Sequence, residues 1–230
     1  MLMGLSTLAE LRQWAGETPH SLVIATALEV VLMFAGILAY IWRWQHTAHR
    51  AWIILFALML LSHVLHRDTL RRLGLGLSEF GASAEWVWPL SILFYIPMLF
   101  YGFLHHRLAF HRPMWQALVL LLGYGVWCAF QQYLAQSYFH NRLMVAVRNR
   151  HVSSVLVGIM FGATHVPNLV LTVATFIAGF VFAEVFARHR NIWPLALAQA
   201  VGGLLLATIT PDALIHHMRV GPGYYFYGIR

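Results

Sequence analysis

The chain has 230 residues, of which 60% are hydrophobic, and its mean hydropathy is +0.67. That composition is too apolar for a soluble protein of this length and indicates a membrane protein. The formal net charge is +7, but most of the arginines fall between apolar stretches, where they can meet anionic lipid headgroups. They form no basic stripe of the kind that binds nucleic acid. The lipid bilayer is therefore the predicted partner, and nucleic acid is excluded.

Seven apolar stretches predict membrane helices, because a helix rises about 1.5 Å per residue and the hydrocarbon core is roughly 30 Å thick. They cover residues 22–42, 51–65, 86–104, 115–135, 152–164, 169–187 and 192–209. The long polar connection over residues 68–85 adds an eighth element if it re-enters the membrane. The prediction is an all-α, polytopic integral membrane helix bundle with about seven to eight transmembrane helices.

The two ends of the chain have amphipathic compositions and predict segments that lie at the membrane surface. One covers residues 1–17 and the other is a tail over residues 211–230. Nothing between them looks like a linker, so a single domain over residues 1–230 is expected. The arginine bias between the two sides is too small to fix the orientation in the membrane.

Two glutamates, Glu29 and Glu184, stand inside predicted membrane helices. A carboxylate at that depth normally faces the protein interior. Each is therefore a candidate site residue, with a structural hydrogen bond as the alternative.

The fourth predicted span ends in three glutamines, Gln131, Gln132 and Gln136. A side-chain amide in a membrane helix needs donors and acceptors from neighbouring helices. Hydrogen bonding between helices, without catalysis, explains these residues at least as well as a reactive site does.

The stretch from Phe161 to Asn168 breaks an apolar run with a histidine, His165. An imidazole at membrane depth has to be solvated, paired or bound to a metal, since hydrocarbon offers it no partner. His165 is therefore the leading candidate for chemistry in this chain.

These elements give residues 115–210 a resemblance to the core of the CAAX protease and bacteriocin-processing (CPBP, or Abi) family of membrane proteins. That family carries a paired-glutamate motif ending in arginine, where this chain has Gln131, Gln132 and Gln136. Its second motif, Phe-x-x-x-His, is matched by Phe161 and His165, and the Asn168 that follows is also typical of it.

The third motif of the family follows a Trp-Pro turn and contains a histidine and, four residues later, an asparagine or aspartate. Here Gln199 replaces the histidine and Gly203 replaces the asparagine. The resemblance implies peptide hydrolysis within the bilayer, with a glutamate as general base and with histidines and the asparagine stabilising the oxyanion. A glutamine amide cannot accept a proton near neutral pH, so neither Gln131 nor Gln132 can replace that base.

The leading functional hypothesis is a CPBP-like protein without standard protease activity, acting as a binding, accessory or scaffold subunit. Its site would be a polar cavity within the membrane, and its partner a membrane protein, a peptide or a small lipid-like molecule. The predicted lining residues are Gln131, Gln132, Gln136, His165 and Gln199. Such a protein is expected in the inner (plasma) membrane of a bacterium.

The alternative hypothesis is an active intramembrane endopeptidase of divergent chemistry, in which Glu29 or Glu184 supplies the missing carboxylate. A divalent metal is expected only under that hypothesis, with His165 as its best ligand. A haem or metal-binding protein that uses some of the fourteen histidines is a third possibility. It needs two opposed interior histidines, and only His165 is clearly at membrane depth.

Overall fold

The structure is a computed structural model that describes residues 19–108 and 113–226. All regular secondary structure in these two ranges is helical. The predicted surface segment at residues 1–17 lies outside the described residues.

Seven helices form the bundle, and two of them contain a π-helical stretch, at Tyr40–Trp44 in the first and Tyr133–His140 in the fourth. They are α1 (His20–Thr47), α2 (Ala51–Leu65), α3 (Phe80–Leu104), α4 (Met114–Val147), α5 (Arg150–Ala163), α6 (Leu169–Arg188) and α7 (Trp193–Ile209). The chain then makes two short helices, α8 (Asp212–Ile215) and α9 (Pro222–Tyr225), with a single 3-10 turn between them.

Four of these helices, α1, α3, α4 and α6, are long and apolar enough to cross a membrane. The other three are apolar but shorter, with 15 residues in α2, 14 in α5 and 17 in α7. At about 1.5 Å per residue they reach roughly 21–26 Å, less than the hydrocarbon thickness. The predicted fold class, an integral membrane bundle of helices, is confirmed.

Two predicted boundaries differ from the structure. Helix α3 begins at Phe80, six residues before the expected start, and α4 continues to Val147, where the sequence suggested an end near residue 135. Polar residues such as Gln136, His140 and Arg142 made this part of α4 look like a connection. In the structure they are fully buried within the bundle, so their polarity does not end the helix.

Helices α5 and α6 form an antiparallel hairpin in close contact. A Cβ atom at Gly158 would come within 2.8 Å of the Phe176 carbonyl oxygen, and one at Gly162 within 3.0 Å of the Thr172 carbonyl oxygen. Glycine at these positions lets the two backbones approach. The turn of this hairpin carries His165.

The α2–α3 loop and the α6–α7 turn meet at one end of the bundle, beside Asn141 in α4. Asn141 donates a hydrogen bond to the Arg72 carbonyl (3.0 Å), Arg190 donates to the Asn141 side-chain oxygen, and Asn191 donates to the Gly76 carbonyl (2.7 Å). We call this the arginine-rich end. His165 and the segment after α7 lie at the other end.

Candidate functional site

His165 sits in the turn between α5 and α6, where its Nδ1 lies 2.8 Å from the Phe161 carbonyl and 3.2 Å from the hydroxyls of Thr164 and Thr175. A carbonyl oxygen can only accept, so Nδ1 carries the proton and Nε2 keeps the lone pair. Burial lowers the pKa of His165, and the hydrogen bond to Phe161 opposes that effect. The imidazole is therefore neutral at neutral pH.

A cavity of about 590 Å³ lies next to His165, between α1, α2, α4 and α5. Its walls are mainly apolar and aromatic, with Trp52, Phe130 and Phe139 among them. Phe161 and His165 of the second motif and Gln131 of the first also line it. Among the residues that the structure describes, no carboxylate lines this cavity.

The four glutamines at the motif positions form a chain of amide hydrogen bonds that joins α4 to α7. Gln136 donates to Gln132 (3.2 Å), Gln132 donates to Gln199 (2.6 Å), and Gln199 donates to Gln131. We call these four residues the amide chain. Of these four residues only Gln131 lines the cavity beside His165, and the Oε1 atom of Gln136 is buried without a hydrogen-bond partner among the described residues.

Gly203, at the third-motif asparagine position, faces the ring of Tyr124 on α4. A Cβ atom there would collide with the Tyr124 hydroxyl, and one at Gly202 would come within 2.9 Å of the Tyr95 ring. Tyrosine rings therefore fill the space beside both glycines, and an asparagine at position 203 does not fit while Tyr124 stays in place.

Asn168 is a structural link in this part of the chain. Its side-chain oxygen accepts from the Leu171 amide (3.2 Å) and caps α6. Its amide group donates to the carbonyls of Ile215 (2.7 Å) and Arg219 (3.2 Å) in the segment after α7. Asn168 is not among the residues that line the cavity.

Glu29 lies in a second buried polar group, centred on Arg142 of α4. The Glu29 carboxylate accepts from Ser62, Tyr138 (2.8 Å), His66 (3.0 Å) and Arg142 (3.2 Å). A carboxylate held by four donors is fully engaged, so Glu29 is a poor candidate for a general base.

The same arginine also binds Asp68 in the α2–α3 loop, with 2.7 Å between Arg142 Nη2 and Asp68 Oδ2. Asp68 accepts from His63 at 2.8 Å and lies 3.3 Å from Arg72. Burial alone would raise the pKa of Asp68, but hydrogen bonds from His63 and Arg142, with the charges of Arg142 and Arg72, lower it to about 2. Glu29, Ser62, His63, His66, Asp68, Arg72, Tyr138 and Arg142 are called the ionic cluster.

Glu184 lies near the end of α6 and is far along the hairpin from His165. It pairs with His151 (3.0 Å) and Arg150 (3.5 Å) at the start of α5 and with Arg188 (3.1 Å) one turn further along α6. The structure therefore does not bring Glu184 to the cavity.

The described residues contain no group of three or more His, Cys, Asp or Glu side chains arranged to hold a metal ion. Around His165 the polar neighbours are threonine hydroxyls and a backbone carbonyl. This donor set does not fit a catalytic metal, which needs about three protein ligands.

The ionic cluster was not predicted from the sequence, because Arg142 lies between two predicted membrane helices and Asp68 lies in the polar connection over residues 68–85. A signal for the cluster was present, since a carboxylate such as Glu29 inside a membrane helix requires a cationic or hydrogen-bonding partner.

Comparison with known proteins gives a family match for part of the chain. Residues 112–205 match the family described as type II CAAX prenyl endopeptidase Rce1-like. No curated protein and no solved structure matches the chain. The matched region contains all three motif positions, so the resemblance to the CPBP family is confirmed over this core.

Proposed function

We propose that this CPBP-type integral membrane protein binds a lipid-like apolar chain in the cavity beside His165 and does not hydrolyse peptide bonds. The observation that carries the proposal is the cavity itself, which is lined by His165 and Gln131 and, within residues 19–108 and 113–226, by no carboxylate. Hydrolysis of the kind expected for the family uses a glutamate as general base at this point. The neutral imidazole and the amide can instead orient a ligand by hydrogen bonds.

The size of the cavity supports a single extended chain as the ligand. One turn of an α-helix, with a diameter of about 10–12 Å and a rise of 5.4 Å, fills roughly 500 Å³. The cavity of about 590 Å³ therefore has room for little more than one such turn. A lipid-like chain fits its aromatic walls, and a polar headgroup would meet His165, Thr164 and Gln131. The proposed location is the inner membrane of a bacterium.

Binding can be tested with an environment-sensitive fluorescent fatty-acid analogue added to the purified protein in lipid nanodiscs. Ala135 lies in the cavity wall, so Ala135→Phe should fill the cavity and weaken binding about tenfold or more. Ala57 lies on the exposed side of α2, and Ala57→Phe is the matched control that should bind like the wild type. Equal binding by all three proteins would contradict the proposal.

Peptidase activity is tested separately with fluorogenic apolar peptides, using wild type, His165→Ala and the triple variant Gln131→Glu, Gln132→Glu and Gln199→His. No cleavage is expected from any of them. Cleavage by the wild type that disappears in His165→Ala would establish the alternative, an active endopeptidase of divergent chemistry.

A further inference from the structure

The segment after α7 crosses the end of the cavity nearest to His165. It comprises residues 211–226 and is called the strap. Val220 of the strap lines the cavity, and the neighbouring Gly221 donates its backbone N–H to the Val166 carbonyl (3.0 Å), beside His165. The strap therefore forms part of the cavity wall.

The strap also reaches the opposite wall of the cavity. A Cβ atom at Gly221 would come within 3.0 Å of the side chain of Ile41 on α1, and Ile41 lines the cavity. Val220 and Gly221 thus bridge α1 and the His165 turn. A ligand that enters or leaves at this end has to pass them.

Asn168 holds the strap to the His165 turn through its two hydrogen bonds to the carbonyls of Ile215 and Arg219. Asn168 is fully buried, and Ile215 is the strap side chain packed most deeply beside it. By contrast, Leu214, Tyr225 and Phe226 are 56%, 61% and 60% exposed. The attachment of the strap is therefore concentrated at a few contacts.

The backbone between Ile215 and Arg219, the two strap residues that Asn168 binds, is strained. His216, His217 and Met218 have φ angles of 46°, 50° and 59°, in the left-handed region that side chains other than glycine rarely adopt. A strained segment with few buried contacts belongs to the part of a protein that opens locally at low cost.

We propose that the strap is a gate for the cavity and that Asn168 is its latch. When the contacts of Asn168 break, the strap leaves the His165 turn and the cavity opens toward the membrane surface. Asn168 acts through the strap and is a positioning residue. This inference goes beyond the proposed function, because it holds whichever molecule enters the cavity.

The test measures access to the cavity without any ligand. The background is Cys128→Ala, which removes the buried native thiol, together with Ala135→Cys, which places a thiol in the cavity wall. The rate of modification by a charged, water-soluble methanethiosulfonate is measured in nanodiscs. In the closed protein this rate should be far below that of a thiol placed at Ala48, an exposed position in the connection between α1 and α2.

The first latch variant is Asn168→Asp. Aspartate keeps the oxygen that caps α6 but loses the donors and opposes the two carbonyls of the strap. Because two hydrogen bonds to the strap are lost, modification should become about thirtyfold faster. Its matched control is Asn149→Asp, because Asn149 caps α5 by accepting from Val152 (3.1 Å) and has no role in the strap.

The second latch variant is Gly221→Ala. It disturbs the contact between Gly221 and the Val166 carbonyl and leaves Asn168 unchanged. Gly221 has a φ angle of +56°, where alanine is strained, and its Cβ would press on Ile41. Its matched control is Gly223→Ala, since nothing lies within 4 Å of a Cβ atom at Gly223.

Faster modification in both latch variants, with unchanged rates in both controls, supports the gate. Rates in the latch variants that equal the controls overturn it, as does a wild-type rate equal to that of the exposed thiol. If Asn168→Asp lowers the unfolding temperature more than Asn149→Asp does, the comparison of modification rates between Gly221→Ala and Gly223→Ala decides the test. Failure of fatty-acid binding leaves these rates unchanged, so the two proposals fail separately.

Discussion

The ionic cluster and the amide chain are both buried and both depend on α4, but they differ in charge. The ionic cluster ties α1 and the α2–α3 loop to Arg142 through two carboxylates. The amide chain ties α7 to α4 through neutral side chains and ends at the cavity wall. Where the family resemblance expects acid and base, this chain has neutral groups, and its interior charges are engaged in holding helices together.

The difference matters for stability and for chemistry. A buried charge that loses its partner costs more free energy than a buried amide that loses one hydrogen bond. The ionic cluster should therefore tolerate substitution least. A glutamine of the amide chain should tolerate substitution only where its side-chain amide donates no hydrogen bond within the chain.

The largest effect is expected for Arg142→Met. Removing this fully buried cation leaves Glu29 and Asp68 without their shared partner and should destabilise the protein by about 3–5 kcal/mol. The measurement is the unfolding of purified protein in a mild detergent. The control is Arg71→Met, because Arg71 is 64% exposed and lies 3.6 Å from Glu79, an arrangement worth about 0–1 kcal/mol. Equal losses in both variants would contradict a structural role for the cluster.

The amide chain predicts a difference between two adjacent glutamines. Gln132 both donates and accepts, so Gln132→Glu removes the donor to Gln199 and should cost about 2–3 kcal/mol. Gln131 only accepts within the chain, so Gln131→Glu should cost less than about 1 kcal/mol. Unfolding measured at the same pH compares them, and a larger loss for Gln131→Glu would reverse the assigned direction of the chain.

Acid should weaken the ionic cluster within a defined pH window. Asp68 has a folded-state pKa of about 2 against an ordinary 3.8. Since the pKa is lower in the folded state, the stabilisation is present above about pH 4 and is lost as the pH falls toward 2, by about 2 kcal/mol. Asp68→Asn should be less stable at pH 6 and should lose less stability between pH 4 and pH 2. Parallel pH curves for the two proteins would contradict this.

The smallest effect concerns the contact between α7 and α4. Gly203→Ala should lower the free energy of unfolding by about 1–2 kcal/mol, because the new methyl group meets Tyr124. The control, Gly125→Ala, should leave it unchanged, because a Cβ atom at Gly125 meets nothing within 4 Å. Tyr124→Phe removes the hydroxyl and should recover part of the loss in the double variant, as measured by a thermodynamic cycle. Additive losses would show that Tyr124 is not what excludes a side chain at position 203.

The features predicted correctly from the sequence are those for which the membrane restricts where a residue type can lie. Apolar length predicted the membrane helices, and the order and spacing of the three motifs predicted the similarity to the CPBP family that the match over residues 112–205 bears out. Single residues were harder. Glu29 and Glu184 carry the same carboxylate inside apolar helices, yet each is bound to a different set of arginines and histidines.

The sequence by itself determined the membrane class, the approximate helices and the absence of acidic groups at the motif positions. These features follow from residue chemistry and periodicity along one chain. Only the tertiary structure decided which polar groups meet. Arg142 lies 113 positions from Glu29 and 74 from Asp68, and Gln199 lies 67 from Gln132. Polar side chains in hydrocarbon must find partners, but which partner each finds depends on how the helices pack.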